Sequence, residues 1–575
     1  MLRLLRFLKP YKRQAAIVVA LTVVQALAQL YLPNLMSDIV NKGVVSKDIS
    51  FIINTGLVML LFTLIVTVCT ILGRLFASKT SVGFAKDIRR EIFKTVEGYS
   101  MAEFDKIGTA SLITRSTNDV TQIQNVMIMI LSMLLAAPIT AAGGIIMALQ
   151  KDVGLSWLMF AIIIFMSAVI LGIALKVVPL FKSLQKKVDS VNLVLRENLT
   201  GIRVVRAFNK TQFEQARFDG ANKDLTDTSV SAHRWMGLMF PSIMLVLNIA
   251  TAAVLWFGGF RIDAGQSQLG DIMAFQQYMM QVMFALIMGT MMFVMLPRAA
   301  AAAERINEIF SLEQSITDRT DKAPVTSGKG HVEFKNVSFY YEGAKEPAIS
   351  GISLTARPGE VTAIIGGTGS GKSTLVKLIP RLYDVTEGQV LVDGVDVRDY
   401  PQEALRAKIG FVPQNASLMS GTIAENIRYG KPDASDDEIK RAVGIAQAGD
   451  FVSELEGQTE APVAQDGTNF SGGQKQRLSI ARALVRRPEV LIFDDSFSAL
   501  DFKTDAKLRK ALLAETKDAA VFIVAQRVST VMNADNIIVL DDGKAVGQGK
   551  HKQLIESCPT YREIVSSQLS LEELA

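Results

Sequence analysis

Residues 490–501 read VLIFDDSFSALD: an apolar run ends in two aspartates, and a short polar turn ends in a third. Such a strand can deliver one carboxylate, Asp494, to Mg²⁺, and a second, Asp495, to the water that attacks a phosphate. Its counterpart lies upstream. VTAIIG runs into GGTGSGKST, Gly366–Thr374, which has the spacing G-x-x-x-x-G-K-[ST]. In that loop Gly366, Gly367, Gly369 and Gly371, interleaved with Thr368 and Ser370, let backbone N–H groups wrap phosphates. Lys372 reaches the β- and γ-phosphates, the Ser373 hydroxyl takes Mg²⁺, and Thr374 follows. The helix opening there adds its positive end. The motif sits between strand and helix, as this chemistry requires, so the expected ligands are ATP and Mg²⁺.

Three further stretches belong with these. GFVPQNASLMSGTIAENI carries Gln414 after a strand. NFSGGQKQRLSIARAL opens a helix with Ser471, Gly472, Gly473 and Gln474. That helix start could take a phosphate, but the chain's own P-loop already serves one, so its simplest use is a nucleotide held by another subunit. VFIVAQRVST places Gln526 where phosphate hydrolysis usually uses His, just as Asp495 stands where it usually uses Glu.

The elements that must position these groups form the second half of the chain. After a polar linker, SLEQSITDRTDKAPVTSGKG, short apolar strands alternate with Gly-rich turns and helices, which is an α/β pattern. The first half differs. Apolar residues make up 49% of the 575-residue chain, and the excess is concentrated in the first three hundred. Six stretches there lack Asp, Glu, Lys and Arg: Gln14–Ser37, Phe51–Gly73, Val120–Gln150, Val153–Leu175, Trp235–Phe260 and Ile272–Pro297. Each is long enough to cross a bilayer, which takes roughly 20 residues. Pro33, Pro138 and Pro241 fall inside them, which spans tolerate when neighbouring helices satisfy the freed backbone groups.

The connections alternate. Asp38–Ser50, Lys151–Asp152 and Arg261–Asp271 are short; Arg74–Asp119 and Lys176–Arg234 are long and carry many Lys and Arg. With the basic start MLRLLRFLKPYKR, which reads as an interfacial helix, this charge bias places the long connections and both termini in the cytoplasm. The long connections read as helices continuing out of the membrane. FDKIGTASLITRSTNDV (Phe104–Val120) and RENLTGIRVVRAFNK (Arg196–Lys210) read as their tips, each either a short transverse docking helix or an ordinary hairpin turn. The sixth span bears Met273, Met279, Met280, Met283, Met288, Met291, Met292 and Met295 with Gln276, Gln277 and Gln281. Most of these methionines should pack or face lipid; one face should line a path for apolar cargo.

The remaining composition excludes more than it assigns. A net charge of +5 is small for this length and fits loop asymmetry about a membrane, not nucleic-acid binding. Cys69 and Cys558 imply no disulfide framework, and His233, His331 and His551 have no metal-ligand spacing.

Taken together, six spans and one P-loop domain resemble a half-transporter of the ATP-binding cassette superfamily, exporter type, over nearly the whole chain. The resemblance implies a six-span α-helical transmembrane domain with cytoplasmic extensions over residues 1–315. A P-loop nucleotide-binding domain with a helical subdomain would follow over residues 316–575. It implies that Tyr341 in VSFYY stacks on adenine and that Gln414 touches Mg²⁺ and senses the membrane domain. Ser471–Gln474 would cap the γ-phosphate of ATP on the opposite cassette, and SALD, ending at Asp501, would cross the dimer interface. The two tips resemble coupling-helix regions. With Asp495 and Gln526 in place of Glu and His but its signature intact, the chain resembles the degenerate-site half of a heterodimeric bacterial multidrug exporter. That implies a second, non-identical half, a bilayer of the cell membrane, and apolar or amphipathic cargo. One further departure is Gln465 in PVAQDGTNF, where the family often has Glu. Lipid or peptide cargo, an ATP-binding regulatory subunit without turnover, and a slowly hydrolysing homodimer are the competing readings.

Overall fold

Charge-free runs flanked by basic, breaker-poor segments should give helices far longer than a bilayer is thick, and they do. The computed structural model describes residues 2–318 and 328–568, apart from the side chains of Leu2 and of residues 291–294. Part of the linker, and the side chains of Met291 and Met292, therefore lie outside the described residues. Six long apolar helices run over Arg3–Val44, Ile49–Glu97, Thr109–Lys151, Val153–Thr200, Thr211–Asp263 and Leu269–Ser311. The fifth has 53 residues. That is about 80 Å at 1.5 Å per residue, against a hydrocarbon core of about 30 Å, so much of it projects beyond any bilayer.

The described chain forms two compact units: Met1–Lys94 with Leu112–Ser311, and Thr95–Ser111 with Leu312–Ala575. In the first, the fourth and fifth helices pair with each other and the sixth packs against the third and first. Met159, Ala250, Phe275, Tyr278, Met279 and Met283 are fully buried in its core. Two of the methionines on the sixth span thus pack between helices, while Met288 is 40% exposed. The Tyr278 hydroxyl donates to the Leu30 carbonyl (3.0 Å), tying the sixth helix to the first. Towards one end of the unit, Lys151 bridges Asp271 and Ser37, and Asp152 accepts from Arg261 and Ser267. Elsewhere Arg305 makes a two-pronged ion pair with the buried Asp119.

Pro138 explains an irregularity in the third helix. It has no N–H for the carbonyl of Leu134 four residues back, and its ring crowds that carbonyl. A π-helical turn, Ile130–Leu134, ends at that residue, and regular α-helix resumes at Ala136.

In the second unit a six-stranded sheet runs Lys544–Gly549, Asn536–Asp541, Val361–Gly366, Ala520–Val524, Val490–Asp494, Ile409–Val412, with only the first pair antiparallel. The strands Val361–Gly366, Ala520–Val524 and Val490–Asp494 are buried at every residue, as expected for a parallel sheet covered on both faces. A four-stranded antiparallel sheet, Ile349–Ala356, Val332–Phe339, Glu387–Val392, Val395–Asp396, lies beside it.

The tips of the long helices are resolved into short helices, Met101–Ile107 and Ile202–Ala207. The first begins three residues before the stretch expected to hold it. A Ser100–Glu103 capping box starts it, and Gly108, at φ +79, ends it; from Thr109 the chain is already the returning third helix.

Candidate nucleotide site

The sheet places its functional residues at the ends of adjacent parallel strands, where open α/β folds bind ligands. Strand Val361–Gly366 leads into the loop, and helix Lys372–Lys377 leaves it with no side-chain cap. Gly369 and Gly371 sit at φ +85 and +92, a region that disfavours side chains. A Cβ on Gly371 would also meet the Ala348 carbonyl at 2.4 Å, and one on Gly366 the Leu540 carbonyl at 2.1 Å. By contrast, a Cβ on Gly367 or Gly369 would point into open space. The loop is thus packed on its inner side and clear on the other, a cradle that fits phosphates.

Lys372 is 8% exposed and donates to the carbonyls of Gly366 (2.9 Å) and Gly367 (2.5 Å). Burial pushes its ammonium pKa down, while Asp495 and Asp494 pull it up. The Ser370 hydroxyl is buried without a partner among the described residues. The Tyr341 hydroxyl lies 3.0 Å from Thr374 Oγ1, so the expected base-stacking ring stands next to the loop.

On the neighbouring strand, Asp494 accepts from the Ser373 hydroxyl at 2.6 Å. This hydroxyl–carboxylate pair is a hard-oxygen donor set suited to Mg²⁺. Burial raises the Asp494 pKa against the opposing pull of Ser373, Lys377 and Lys372. Asp495 leaves the strand at φ +48. Its Oδ2 accepts two side-chain amides, Gln414 Nε2 at 3.2 Å and Gln526 Nε2 at 3.1 Å. Burial raises its pKa; the Gln414 bond opposes this, Asp494 adds to it, and Lys372 and Arg527 oppose it. The structure therefore brings Asp495, Gln526 and Gln414 into one hydrogen-bonded cluster, with Lys372 and Asp494 in its electrostatic field.

The signature residues are elsewhere. Ser471 caps helix Gly472–Leu484, its hydroxyl accepting from Gln474 N (3.3 Å) while Gln474 Oε1 accepts from Ser471 N (2.9 Å). Among the described residues no hydrogen bond joins Ser471–Gln474 to the P-loop. A Cβ on Gly472 would meet nothing, whereas one on Gly473 would lie 3.1 Å from the Ala499 carbonyl. Asp501 caps the next helix through Thr504 N (2.9 Å), and the Ser498 hydroxyl donates to the Asp495 carbonyl (2.9 Å). In the segment holding Gln465, Asp466 is tied instead, by Lys475 on its carbonyl and Ser417 on its carboxylate.

Sequence reasoning missed two positioning contacts. Gln568, in the C-terminal helix, brackets the switch loop: its Oε1 accepts from Val528 N and its Nε2 donates to the Gln526 carbonyl, both at 2.8 Å. Tyr383 links the tip helix to Tyr341. Its hydroxyl donates to Asp105 (2.9 Å), and its ring meets Tyr341 edge-on with centroids 5.6 Å apart. Burial, then Asp105, push the Tyr383 phenol pKa up. Glu103 anchors the same helix through Ser315 N (3.0 Å). Neither Gln568 nor Tyr383 lies in a recognisable motif, so no local signal marked them. Tyr383→Phe keeps the ring and removes only the hydroxyl. Hydrogen exchange over 101–107 is expected to quicken roughly fivefold, equivalent to a lost hydrogen bond of about 1 kcal/mol, with ATP affinity within about twofold. Unchanged exchange would deny Asp105 an anchoring role.

Long apolar helices joined to a P-loop sheet, with a capped SGGQ helix start that makes no hydrogen bond to that P-loop among the described residues, define an ATP-binding cassette exporter. Residues 15–286 match the ABC transporter transmembrane region, and residues 349–498 match the ABC transporter family. An uncharacterised ABC transporter ATP-binding protein of Mycobacterium tuberculosis is 44% identical, over 99% of this chain and 98% of its own. A Bacillus subtilis ATP-binding/permease protein named for multidrug export is 32% identical, over 99% of both. The ATP-dependent lipid A-core flippase of Vibrio vulnificus is 31% identical, over 98% of this chain and 96% of its own. A solved structure of a bacterial Atm1-family ABC exporter with ATP bound shares the fold, with a TM-score of 0.78 at 24% identity over 98% of this chain and 99% of that one. The chain belongs to the ABC transporter family. It is a multi-pass membrane protein that couples ATP hydrolysis to transport.

Proposed function

We propose that this chain is one half of a heterodimeric exporter and that the site on its own P-loop binds ATP but hydrolyses it poorly. The observation that carries this reading is the Asp495 carboxylate, one oxygen of which already accepts two amides, from Gln414 and Gln526. Asp is one methylene shorter than the Glu that orients water at competent sites, and a misplacement of about 1 Å can cost on the order of a hundredfold. Gln526 can donate to a phosphate but cannot carry an imidazolium's charge. The binding groups are sound: Tyr341 beside Thr374, Lys372 in the cradle, and Ser373 against Asp494. Ser373, Asp494 and Gln414 would hold Mg²⁺, which supplies charge neutralisation to the phosphates. Ser471, Gly472, Gly473 and Gln474 then serve the partner's nucleotide, with Asp501 at the shared interface.

The cargo is apolar or amphipathic, in keeping with relatives named for multidrug export and lipid A-core flipping. The bias of Lys and Arg towards the long connections supports cytoplasmic termini, with the spans in the cell membrane. Affinity purification of the native complex is expected to yield two different half-transporters in equal amounts. Vigorous ATPase from this chain alone would sink the two-chain reading.

A further inference from the structure

Side chains from two other helices hold the main chain of the switch loop. Gln568 accepts from Val528 N and donates to the Gln526 carbonyl, both at 2.8 Å. Arg509, in helix Phe502–Glu515, donates to the Ser529 carbonyl at 2.7 Å. The Gln526 side chain is exposed and donates to Asp495 at 3.1 Å. The loop therefore has a clamped backbone and one side chain with room to move.

The local sequence explains why the clamp comes from outside. The short helix Val528–Val531 follows Arg527, which has donors but no acceptor in its side chain and leaves the helix start without a side-chain cap. Val528 is fully buried, and its N–H at the helix start has no acceptor within the helix. It finds one 40 residues further on, in Gln568. Packing puts Gln568 there. Tyr561 and Val565, on the same helix Pro559–Gln568, are buried in the core, and Gln568 follows at the next turn of that stripe. The core fixes the helix, and the helix presents an amide whose two ends match one donor and one acceptor on the loop. Turning that amide over would set N–H against N–H and oxygen against oxygen, so only one orientation makes both bonds.

To donate to a γ-phosphate oxygen, Gln526 has to leave Asp495. With its carbonyl held, that move is confined to the side-chain torsions, and less freedom is lost when the new bond forms. ADP offers no γ-phosphate to such a contact. We propose that Gln568 is a positioning residue that sets this site's preference for ATP over ADP, by holding the main chain from which Gln526 reaches the γ-phosphate. The proposal rests on the reading that Gln526 faces that phosphate.

The test uses the full chain in lipid nanodiscs with Mg²⁺, titrated with ADP and with the non-hydrolysable analogue AMP-PNP, so no turnover is needed. Gln526→Ala is expected to weaken AMP-PNP about tenfold, the size of one hydrogen bond to a charged group, and to leave ADP within about twofold. Gln568→Met keeps the length of the side chain and removes both bonds. It should weaken AMP-PNP roughly fourfold with ADP again within about twofold, because the Gln526 amide is present but no longer held. The double variant should bind AMP-PNP no more weakly than Gln526→Ala alone, since one residue acts through the other. AMP-PNP and ADP weakened alike by Gln568→Met would make its role merely structural. Losses that add in the double variant would mean that it does not act through Gln526. Either result, or an unchanged AMP-PNP affinity in Gln568→Met, would overturn the proposal. If Gln526→Ala itself leaves AMP-PNP binding intact, the reading of Gln526 falls first and the proposal falls with it.

Discussion

Ser471→Arg in the two-chain complex is expected to lower ATPase at saturating ATP by about 10²–10³-fold, the cost of losing one preorganised donor to a transferring phosphoryl group. Ser471 and Gly472 are exposed at the start of helix Gly472–Leu484, and no hydrogen bond among the described residues ties them to this chain's own P-loop. On the proposed two-chain reading, an arginine there would fill the space that the partner's γ-phosphate needs. It also removes the cap on Gln474 N, whose loss alone costs about 1 kcal/mol of stability, so the thermal midpoint is measured beside the ATPase. On the asymmetric reading proposed above, Lys372→Ala should keep a substantial fraction of the ATPase, because Lys372 would hold the nucleotide that mainly keeps the cassettes closed. If Lys372→Ala proves as inactive as Ser471→Arg, there are two outcomes to separate by trapping nucleotide at each site. Turnover on Lys372's own side ends the asymmetric assignment. Failure to close gives Lys372 a larger role than proposed.

Asp495→Glu is expected to raise hydrolysis at this chain's own site only a few-fold, while Asp495→Glu with Gln526→His raises it far more. Groups that act as a unit in catalysis are not additive. The structure supplies the reason. Asp495 Oδ2 is held by amides at 3.2 and 3.1 Å, and a longer side chain must leave them to reach water. Gln526 then loses its acceptor, and its loop stays pinned by Gln568 on both sides of Arg527. Histidine at 526 restores an imidazole able to carry charge towards the γ-phosphate. The measurement is single-turnover hydrolysis with the partner's site disabled. Full, equal hydrolysis from Asp495→Glu alone would show that the Gln526 position does not limit the site.

The sequence by itself determined the class of the protein, because the signals involved are local. The P-loop is a run of nine residues, Gly366–Thr374, whose backbone path is dictated by glycines at neighbouring positions. Six charge-free runs need no partner to declare their preference for a bilayer. The signature helix start is likewise legible, since Ser471 and Gln474 satisfy each other's backbone across one turn. What only the tertiary structure decided lies between elements far apart in the chain. Gln414 and Gln526 reach Asp495 across 81 and 31 residues, and Tyr383 reaches Asp105 across 278. Those meetings depend on strand order, and buried parallel strands such as VTAIIG, AVFIV and VLIFD all read as the same apolar run. Alternation cannot rank them, so it cannot say which tips converge. The methionines of the sixth span divide for the same reason. Met279 and Met283 are buried by neighbouring helices, while Met288 is left facing a cleft beside Gln281. A residue's type sets what it can bind, and the packing of other segments against it sets whether it is free to do so.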